Sequence, residues 1–425
     1  MKINIFNIVV VALAFLSLGA CDDDNDMESG ETPIVRYVRP CDVAASDSLL
    51  LGAYLGSKIT IIGEGLAGVN KVYFNDQEAS LNPNLVTNNA IVVLIPNTIP
   101  KIKEDLIKLY TNNDSCYYIF ETVVPTPSVS SMACEYLEAG DLAHIEGLYF
   151  VNDETSPLTI SFTGGVQGQI ESSDVNNIYV TVPEGAESGP VTVTSVYGSG
   201  ESSLHFRDER NIILDFNNNN YPDYDYFSGW HGAGGVASEE GINGNYLILT
   251  GDIDENGVTK DDEYCFDRWT YTPDDPDFAD ASNLNKQVLK FEVKVSEDWS
   301  AAALQFVFTG ASEVWLNWQS NADWPEYADT HGGNEDWKRK GDAYPNYPRG
   351  LWNPWTKDGV FGTDGWITVS IPMSEFKYNS DGSKADINPS GHYSGLTVWM
   401  GDGGIVGTAC TPTLWIDNVR IVPID

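Results

Sequence analysis

The sequence contains an internal repeat whose length is that of a whole domain. The segment GSKITIIG at Gly56–Gly63 returns as GDLAHIEG at Gly140–Gly147, and Asn89–Pro96 returns as Asn177–Pro183. The offset is 84 residues between the starts of the first pair (140 − 56) and 87 residues between the ends of the second pair (183 − 96). Solenoid repeats have periods of roughly 20–50 residues. The longer period here indicates two tandem domains.

Each repeat has the residue pattern of a β-sandwich. Short runs of alternating apolar and polar residues are separated by Gly, Asn and Pro, which is typical of antiparallel strands joined by turns. The predicted boundaries are residues 33–124 for the first domain and 125–208 for the second. The repeated residues are of turn and core types and carry no chemistry. We therefore interpret both domains as spacers.

Residues 209–425 form a third domain of a different kind. All twelve tryptophans lie between Trp230 and Trp415. Alternating runs without an amphipathic helix of useful length indicate a larger, jelly-roll-like sandwich. The predicted strands are 212–216, 246–250, 288–295, 303–308, 314–318, 367–371, 396–400 and 414–422. The sequence thus predicts an all-β protein with two tandem sandwiches followed by a larger one.

The N-terminal residues have the pattern of a secretory signal. Lys2 precedes an apolar run at Ile8–Leu16, which is too short for a membrane span, and small residues follow at Leu18–Cys21. Leu-Gly-Ala-Cys resembles a bacterial lipobox, and the acidic run Asp22–Asp26 resembles the surface-export signal of Bacteroidota lipoproteins. We expect residues 1–20 to be a signal peptide and residues 21–32 an acidic tether. Acylated Cys21 would then anchor the protein in the outer membrane, exposed at the cell surface.

The charge of the chain excludes one class of partner. The sequence has 23 Lys and Arg against 62 Asp and Glu, which gives a formal net charge of −39. Such a surface repels phosphate backbones, so we expect no nucleic-acid partner. A neutral polysaccharide meets no such repulsion.

A long aromatic segment in the third domain predicts a binding surface. Residues 319–352 show little strand pattern but are rich in Trp and Tyr. Loops of this length are usually functional or disordered, and disordered segments are poor in aromatics. Aromatic rings present flat apolar faces on which sugars stack. The predicted glycan-binding residues are Trp318, Trp324, Trp337, Tyr347, Arg349, Trp352 and Trp355.

The other tryptophans differ in their surroundings. Trp366 and Trp415 stand within alternating apolar runs, and we interpret both as core residues. The pattern leaves Trp299 and Trp399 undecided.

These motifs, taken in order, resemble a known family. The repeats, with their Gly-x-x-x-Ile-x-Gly and late Val-x-x-Pro patterns, resemble immunoglobulin-like (Ig-like) IPT/TIG domains. The segments RGLWNPW at Arg349–Trp355 and DGWITVSIP at Asp364–Pro372 are similar to a xyloglucan-binding domain. The whole chain resembles the B-type surface glycan-binding proteins of Bacteroidota polysaccharide-utilisation loci. That resemblance implies a non-catalytic aromatic platform on the last domain, which falls on Trp318, Trp352 and Trp355.

The resemblance also implies the partners. These are a neutral polysaccharide or oligosaccharide, the outer membrane and a glycan-import complex. Xyloglucan, mixed-linkage β-glucan and mannan all present stackable faces, so the glycan stays open.

Two other functions stay open on the sequence alone. A glycoside hydrolase of β-sandwich fold needs two carboxylates about 5–10 Å apart, and a chain with 62 acidic residues offers many pairs. A structural Ig-like surface adhesin would need no glycan site. The sequence contains no GxSxG, HExxH or P-loop motif.

One motif fits a calcium loop, although no cofactor is required for the expected function. Asp252, Asp254, Asn256 and Glu263 match the pattern D-x-[DN]-x-[DN]-G-x₅-E, and their oxygens would bind Ca²⁺. The flanking residues have strand patterns, so a solvated hairpin is the alternative.

Cysteine pairing also stays open. Cys41 with Cys116 and Cys265 with Cys410 could form disulfides in an oxidising compartment, and free thiols fit the sequence equally well.

Overall fold

A computed structural model describes nine stretches of the chain. They are residues 32–45, 47–217, 235–259, 265–268, 276–308, 349–378, 382–384, 393 and 396–424. The chain divides into two compact units, one ending at Pro125 with the addition of Val151–Pro157, and one comprising Thr126–Phe150 and the chain from Leu158 onward. Within the described residues, no helix combines the length and apolarity of a membrane span.

The first Ig-like domain is a sandwich of short antiparallel strands. One sheet has the order β1-β3-β6, the opposing sheet has the order β5-β4-β7-β8, and β2 pairs with β9 in parallel. Short 3-10 turns lie at Val43–Ala45, Leu66–Gly68 and Pro83–Leu85. The strands are β1 (Ile34–Pro40), β2 (Gly52–Tyr54), β3 (Lys58–Glu64), β4 (Lys71–Phe74), β5 (Gln77–Ala79), β6 (Ala90–Leu94), β7 (Leu106–Tyr110), β8 (Ser115–Ile119) and β9 (Glu121–Val123).

The second Ig-like domain repeats this arrangement. Its sheets have the orders β10-β11-β15-β14 and β13-β12-β16-β17. The strands are β10 (Ser128–Met132), β11 (Leu142–Leu148), β12 (Thr159–Thr163), β13 (Val166–Gln167), β14 (Gln169–Ser173), β15 (Asn177–Thr181), β16 (Glu187–Ser195) and β17 (Gly198–Phe206). The sequence repeat therefore maps onto equivalent strands, because β3 pairs with β6 as β11 pairs with β15.

The repeated glycine has the same structural cause in both domains. A Cβ atom at Gly63 would lie 2.0 Å from the carbonyl oxygen of Ile34, and one at Gly147 would lie 2.1 Å from that of Ser128. In each domain the neighbouring strand comes too close for any side chain. The repeated glycine is therefore required by the close packing of neighbouring strands in each sandwich.

The C-terminal domain is a larger sandwich of two sheets. One sheet has the order β19-β20-β27-β22-β25, with β18 also paired to β27, and the other has the order β21-β26-β23-β24. The strands are β18 (Ile212–Leu214), β19 (Gly235–Ala237), β20 (Tyr246–Thr250), β21 (Cys265–Arg268), β22 (Gln287–Ser296), β23 (Ala303–Phe308), β24 (Arg349–Trp352), β25 (Ile367–Pro372), β26 (Leu396–Gly401) and β27 (Thr413–Pro423). Short 3-10 turns lie at Ala281–Lys286, Pro354–Thr356 and Met373–Glu375.

The predicted all-β fold, with two tandem Ig-like sandwiches followed by a larger sandwich, is confirmed. The core of the last domain lies between its two sheets, where the rings of Phe291 and Phe306 are 4.7 Å apart. One local prediction is wrong, because β24 lies inside the segment 319–352 that shows little strand pattern. Strand β24 pairs with β23 from Leu304↔Trp352 to Val307↔Arg349. This pairing stabilises the extended backbone of β24, although the residues of β24 have no strong strand pattern of their own.

The second Ig-like domain packs against part of the six-stranded sheet. Thr368 N donates to Ala133 O at 2.8 Å, and Glu135 N donates to Thr368 Oγ1 at 2.7 Å. Arg420 bridges Glu135 of the Ig-like domain and Glu292 of the sheet at 2.6 and 2.8 Å. All three side chains are buried. This junction therefore rests on a buried ion network as well as on backbone hydrogen bonds.

Candidate functional site

The four-stranded sheet of the C-terminal domain has one apolar face and one polar, aromatic face. Leu304, Phe306 and Phe308 of β23 point into the core, so the alternate residues of this strand point away from it. The pairings Gln305↔Leu351 and Gln305↔Trp399 place one row across the outward face. The adjacent row comprises Arg349, Val307 and Thr397.

The polar side chains of this face are joined to one another. Arg349 Nη1 donates to Gln305 Oε1 at 3.0 Å. Gln305 is 0% exposed, Arg349 2% and Trp399 7%. Among the described residues, Gln305 Nε2 and Trp399 Nε1 have no hydrogen-bond acceptor. Buried donors without a protein acceptor are rare in native structures.

Two neighbouring strands of this sheet flank an undescribed stretch of the chain. Strand β23 ends at Phe308 and β24 begins at Arg349, and the two strands pair side by side. The sequence between them, residues 309–348, includes four tryptophans and three tyrosines.

Trp352 lies at the rim of the core. Its ring is half-buried and lies 5.3 Å from Trp299, 5.7 Å from Phe291 and 5.5 Å from Phe361. Its pairing with core residue Leu304 places it on the core-facing side of β24, opposite the row of Gln305 and Leu351. Its role in glycan binding stays a prediction.

Trp355 lies in the core, and its predicted place on an exposed platform is wrong. It is 5% exposed, belongs to the apolar cluster between the sheets and donates from Nε1 to Ala302 O at 2.7 Å. The short turn Pro354–Thr356 directs the ring inward. A ring enclosed in this way has no free face for a sugar.

The remaining predicted platform residues lie outside the described residues. They are Trp318, Trp324, Trp337 and Tyr347. Cys21 and Glu263 also lie outside them. Their predicted roles stay predictions.

Trp366 and Trp415 are not core residues, which corrects the sequence interpretation. Both are half-buried on the outer face of the six-stranded sheet, and neither belongs to the cluster between the sheets. The alternating pattern was misleading because Trp415 follows core residue Leu414 and precedes core residue Ile416, so it occupies the opposite face. Trp299, which the pattern left undecided, is fully buried.

The calcium motif forms a hairpin loop in its described part. Asp254 Oδ1 accepts from the backbone N–H groups of Asn256 and Val258 at 2.8 and 2.9 Å. Asp252 Oδ1 accepts from Thr411 Oγ1 at 2.9 Å. Within the described stretches, no group of three or more His, Cys, Asp or Glu side chains could hold a metal ion. Calcium binding with Glu263 as a ligand stays a prediction.

Four cysteines in the described part have free thiols. They are Cys41, Cys116, Cys134 and Cys410. The disulfide between Cys41 and Cys116 that the sequence allowed is therefore not formed.

The buried acidic groups of the C-terminal domain are structural. Burial raises the pKa of Asp417 to about 8 and also raises the pKa of Glu292. Both side chains are 0% exposed, and Glu292 is paired with Arg420. Neither carboxyl group can reach a polysaccharide.

Gln305 and Thr397 were not among the predicted site residues, and the sequence pattern left Trp399 undecided. The signal was present in the alternation of the two strands, because each residue lies between two core residues. Alternation identifies the outward face but not which outward residues are buried. That depends on what covers the sheet.

Comparisons with known proteins agree with this fold. The family model described as "surface glycan-binding protein B xyloglucan binding domain" matches residues 206–423, about half of the chain. The crystal structure of a surface glycan-binding protein B from Prevotella bryantii is 29% identical, with a TM-score of 0.78, and the match covers 93% of this chain and 99% of that one. An IPT/TIG domain-containing protein of Bacteroides ovatus is 28% identical over 196 residues, which span 41% of this chain and 38% of that relative.

The last domain is thus of the xyloglucan-binding kind found in B-type surface glycan-binding proteins. The chain belongs to this family.

Proposed function

We propose that this protein binds a neutral plant polysaccharide, xyloglucan or a related β-glucan, through its C-terminal domain without cleaving it. The carrying observation is the outward face of the four-stranded sheet. On this face the guanidinium of Arg349 is hydrogen-bonded to the amide of Gln305, Trp399 is the strand neighbour of Gln305, and the flanking strands end at Phe308 and begin at Arg349.

The chemistry of this face suits sugar hydroxyls. Gln305 Nε2 and Trp399 Nε1 are neutral donors without a protein acceptor in the described residues. Both donors are enclosed, so a sugar hydroxyl oxygen would accept from them only by displacing what covers this face, and it would bring no charge into an acidic protein. Aromatic side chains supply the apolar faces on which a pyranose ring stacks. An amide and an indole beside aromatic rings fit a neutral sugar better than an anionic one.

Support for binding without catalysis comes from the carboxylates. A glycosidase needs two carboxyl groups facing the substrate, one of them with a raised pKa. Asp417 and Glu292 have raised pKa values but are fully enclosed at the junction with the second Ig-like domain. Their environment is that of a structural network.

The location follows from the N-terminal sequence. We propose that acylated Cys21 anchors the protein in the outer membrane and that the acidic residues after it direct the protein to the cell surface. The Ig-like domains would then act as spacers, and the bound glycan would pass to an import complex. The variant Cys21→Ala should be absent from the membrane fraction. Its presence there would contradict the lipid anchor.

Affinity electrophoresis of the purified protein against xyloglucan, mixed-linkage β-glucan and mannan tests the binding function. Retardation by at least one glucan is expected, and no retardation by any glycan would contradict the proposal. If the protein were a structural adhesin, no glycan would retard it. Incubation with the bound glycan should release no reducing ends, and sustained release would identify a hydrolase.

The variant Gln305→Glu tests the site. It keeps an acceptor for Arg349 and replaces the Nε2 donor with a second carboxylate oxygen, whose negative charge lies beside the Arg349 guanidinium, so the fold should persist. Loss of one hydrogen bond should weaken glycan binding by about threefold to tenfold. Gln169→Glu, at an exposed position of β14, is the matched control and should bind as the unaltered protein does. Equal affinities for both variants would remove Gln305 from the site.

A further inference from the structure

The outer face of the six-stranded sheet is only partly covered by the second Ig-like domain. Arg420, Glu292 and Thr368 lie under that domain. Farther along the same face, the pairings Ile248↔Trp415 and Lys294↔Trp415 form a row in which Trp415 is half-buried.

Trp366, which immediately precedes β25, completes this row. Its ring lies 6.2 Å from that of Trp415, with an angle of 48° between the planes. The buried ring of Tyr246 contacts both, at 5.5 and 5.0 Å. The two indoles therefore rest side by side on a fixed support. We name Trp366 and Trp415 the outer tryptophan pair.

One ion pair and a further acidic residue lie beside the outer tryptophan pair. Lys294 Nζ lies 4.1 Å from the centre of the Trp415 ring and 3.3 Å from Glu240 Oε2, and Glu239 is close enough to Tyr246 to act on its hydroxyl. The hydroxyl oxygens of Thr250 and Thr413, on neighbouring strands, are 2.8 Å apart. This surface thus combines two large rings with hydroxyl groups, one lysine and two carboxylates.

Neither of these adjacent, partly exposed tryptophans belongs to the core between the sheets, although Trp366 also packs against the cluster of Cys134, Tyr136 and Ile242 at the junction with the second Ig-like domain. Large apolar side chains exposed together mark interaction sites more often than single ones do. Because Glu239 and Glu240 outnumber Lys294 here, the surface does not attract an anionic ligand. Indole rings and hydroxyl groups suit a neutral sugar chain, which would displace Lys294 from the face of Trp415.

We propose that the outer tryptophan pair is a second contact surface for neutral polysaccharide, on the sheet opposite the Gln305 site. This inference rests on the proposed function, because it assigns the same class of ligand to another face of the same domain. Two contact surfaces on one domain would strengthen retention of a long polymer more than that of a short oligosaccharide.

Hydroxyl-radical footprinting of the full-length protein with a xylogluco-oligosaccharide tests the surface directly. Oxidation of Trp366 and Trp415 should slow at saturating ligand, both in the unaltered protein and in Gln305→Glu at a matched level of saturation. Equal oxidation rates with and without bound ligand would overturn the second surface. If the protein binds no glycan at all, the proposed function fails first.

The double variant Trp366→Ala/Trp415→Ala provides the second measurement. Affinity for the polymer should fall by about tenfold or more, as expected when aromatic anchors are lost. Tyr117→Ala, at a 57% exposed aromatic of the first Ig-like domain, is the control and should retain full affinity. Unchanged affinity in a folded double variant would refute the proposal while leaving the proposed function intact.

A second copy of the chain is the competing occupant. Sedimentation velocity of the unaltered protein distinguishes it, because a dimer that the double variant abolishes would assign the outer tryptophan pair to self-association. A monomer in both proteins is the expected result.

Discussion

Trp355 and Trp366 show how the same residue type takes opposite roles within one strand-turn-strand segment. Trp355 is enclosed in the core and hydrogen-bonded, whereas Trp366 is half-buried and donates to Glu240 O at 3.3 Å. Whether each ring points into the core or outward depends on the local direction of the backbone. The residue type alone does not determine this direction.

Trp355→Ala should destabilise the protein by about 3–5 kcal/mol, since it leaves a cavity in the core and an unpaired Ala302 carbonyl. Trp366→Ala should lower the free energy of unfolding by less than Trp355→Ala does, because part of the Trp366 ring is already exposed to solvent. Urea unfolding of both variants measures the difference. A larger loss for Trp366→Ala would reverse the assignment of core and surface.

Asp417 gives the protein a pH dependence with a defined sign. Its pKa rises from the ordinary 3.8 to about 8 on folding, chiefly through burial, with Glu292 and Asp215 adding to the rise and Arg420 opposing it. Between these values the folded protein binds a proton that the unfolded chain has released. The contribution of Asp417 to the free energy of unfolding is therefore full below pH 3.8 and is lost as the pH rises towards 8.

The variant Asp417→Asn removes this titration. Its unfolding free energy should fall less steeply between about pH 5 and pH 8 than that of the unaltered protein. Parallel stability profiles for the two proteins, measured in urea at several pH values, would show that Asp417 has an ordinary pKa.

At the scale of elements, the junction between the second Ig-like domain and the six-stranded sheet depends on Arg420. This side chain is fully buried, bonds both Glu135 and Glu292, and lies 5.1 Å above the ring of Tyr136. Lys290 Nζ also contacts Glu135, at 2.5 Å. The network fixes one domain against a particular row of the sheet.

Arg420→Met should lower the free energy of unfolding of the second Ig-like domain and the C-terminal domain by about 3–5 kcal/mol. The reason is that the buried carboxylates of Glu135 and Glu292 lose their main partner. Arg36→Met is a matched control, since Arg36 and Glu64 form an ion pair with both side chains 58% exposed, which contributes about 0–1 kcal/mol. Urea unfolding of both variants measures the contrast. Similar small losses would mean that the buried network adds little to stability.

The sequence predicts a strand where apolar and polar residues alternate along it. The strands Tyr246–Thr250 and Ala303–Phe308 were predicted with the bounds that the structure gives. Strand β24 was missed because its edge pairing with β23 is a long-range contact that a local pattern does not contain. For the same reason alternation placed Trp415 on a strand but could not say which face was the core.

At the scale of the whole molecule, a formal charge of −39 is combined with the proposed site for an uncharged ligand. Stacking and hydrogen bonds to neutral hydroxyls are hardly screened by salt, whereas binding of a charged ligand would respond strongly. The acidic surface therefore affects solubility and discourages anionic polymers without contributing to the recognition of the glycan.

Isothermal titration of the purified protein with a neutral xylogluco-oligosaccharide at low and high salt measures whether a neutral glycan is recognised. We predict saturable binding whose affinity changes by less than about twofold between roughly 0.05 and 0.5 M salt. Absence of binding to this ligand and to the related glucans, or an affinity that falls by about tenfold or more over that range, would contradict recognition of a neutral glycan.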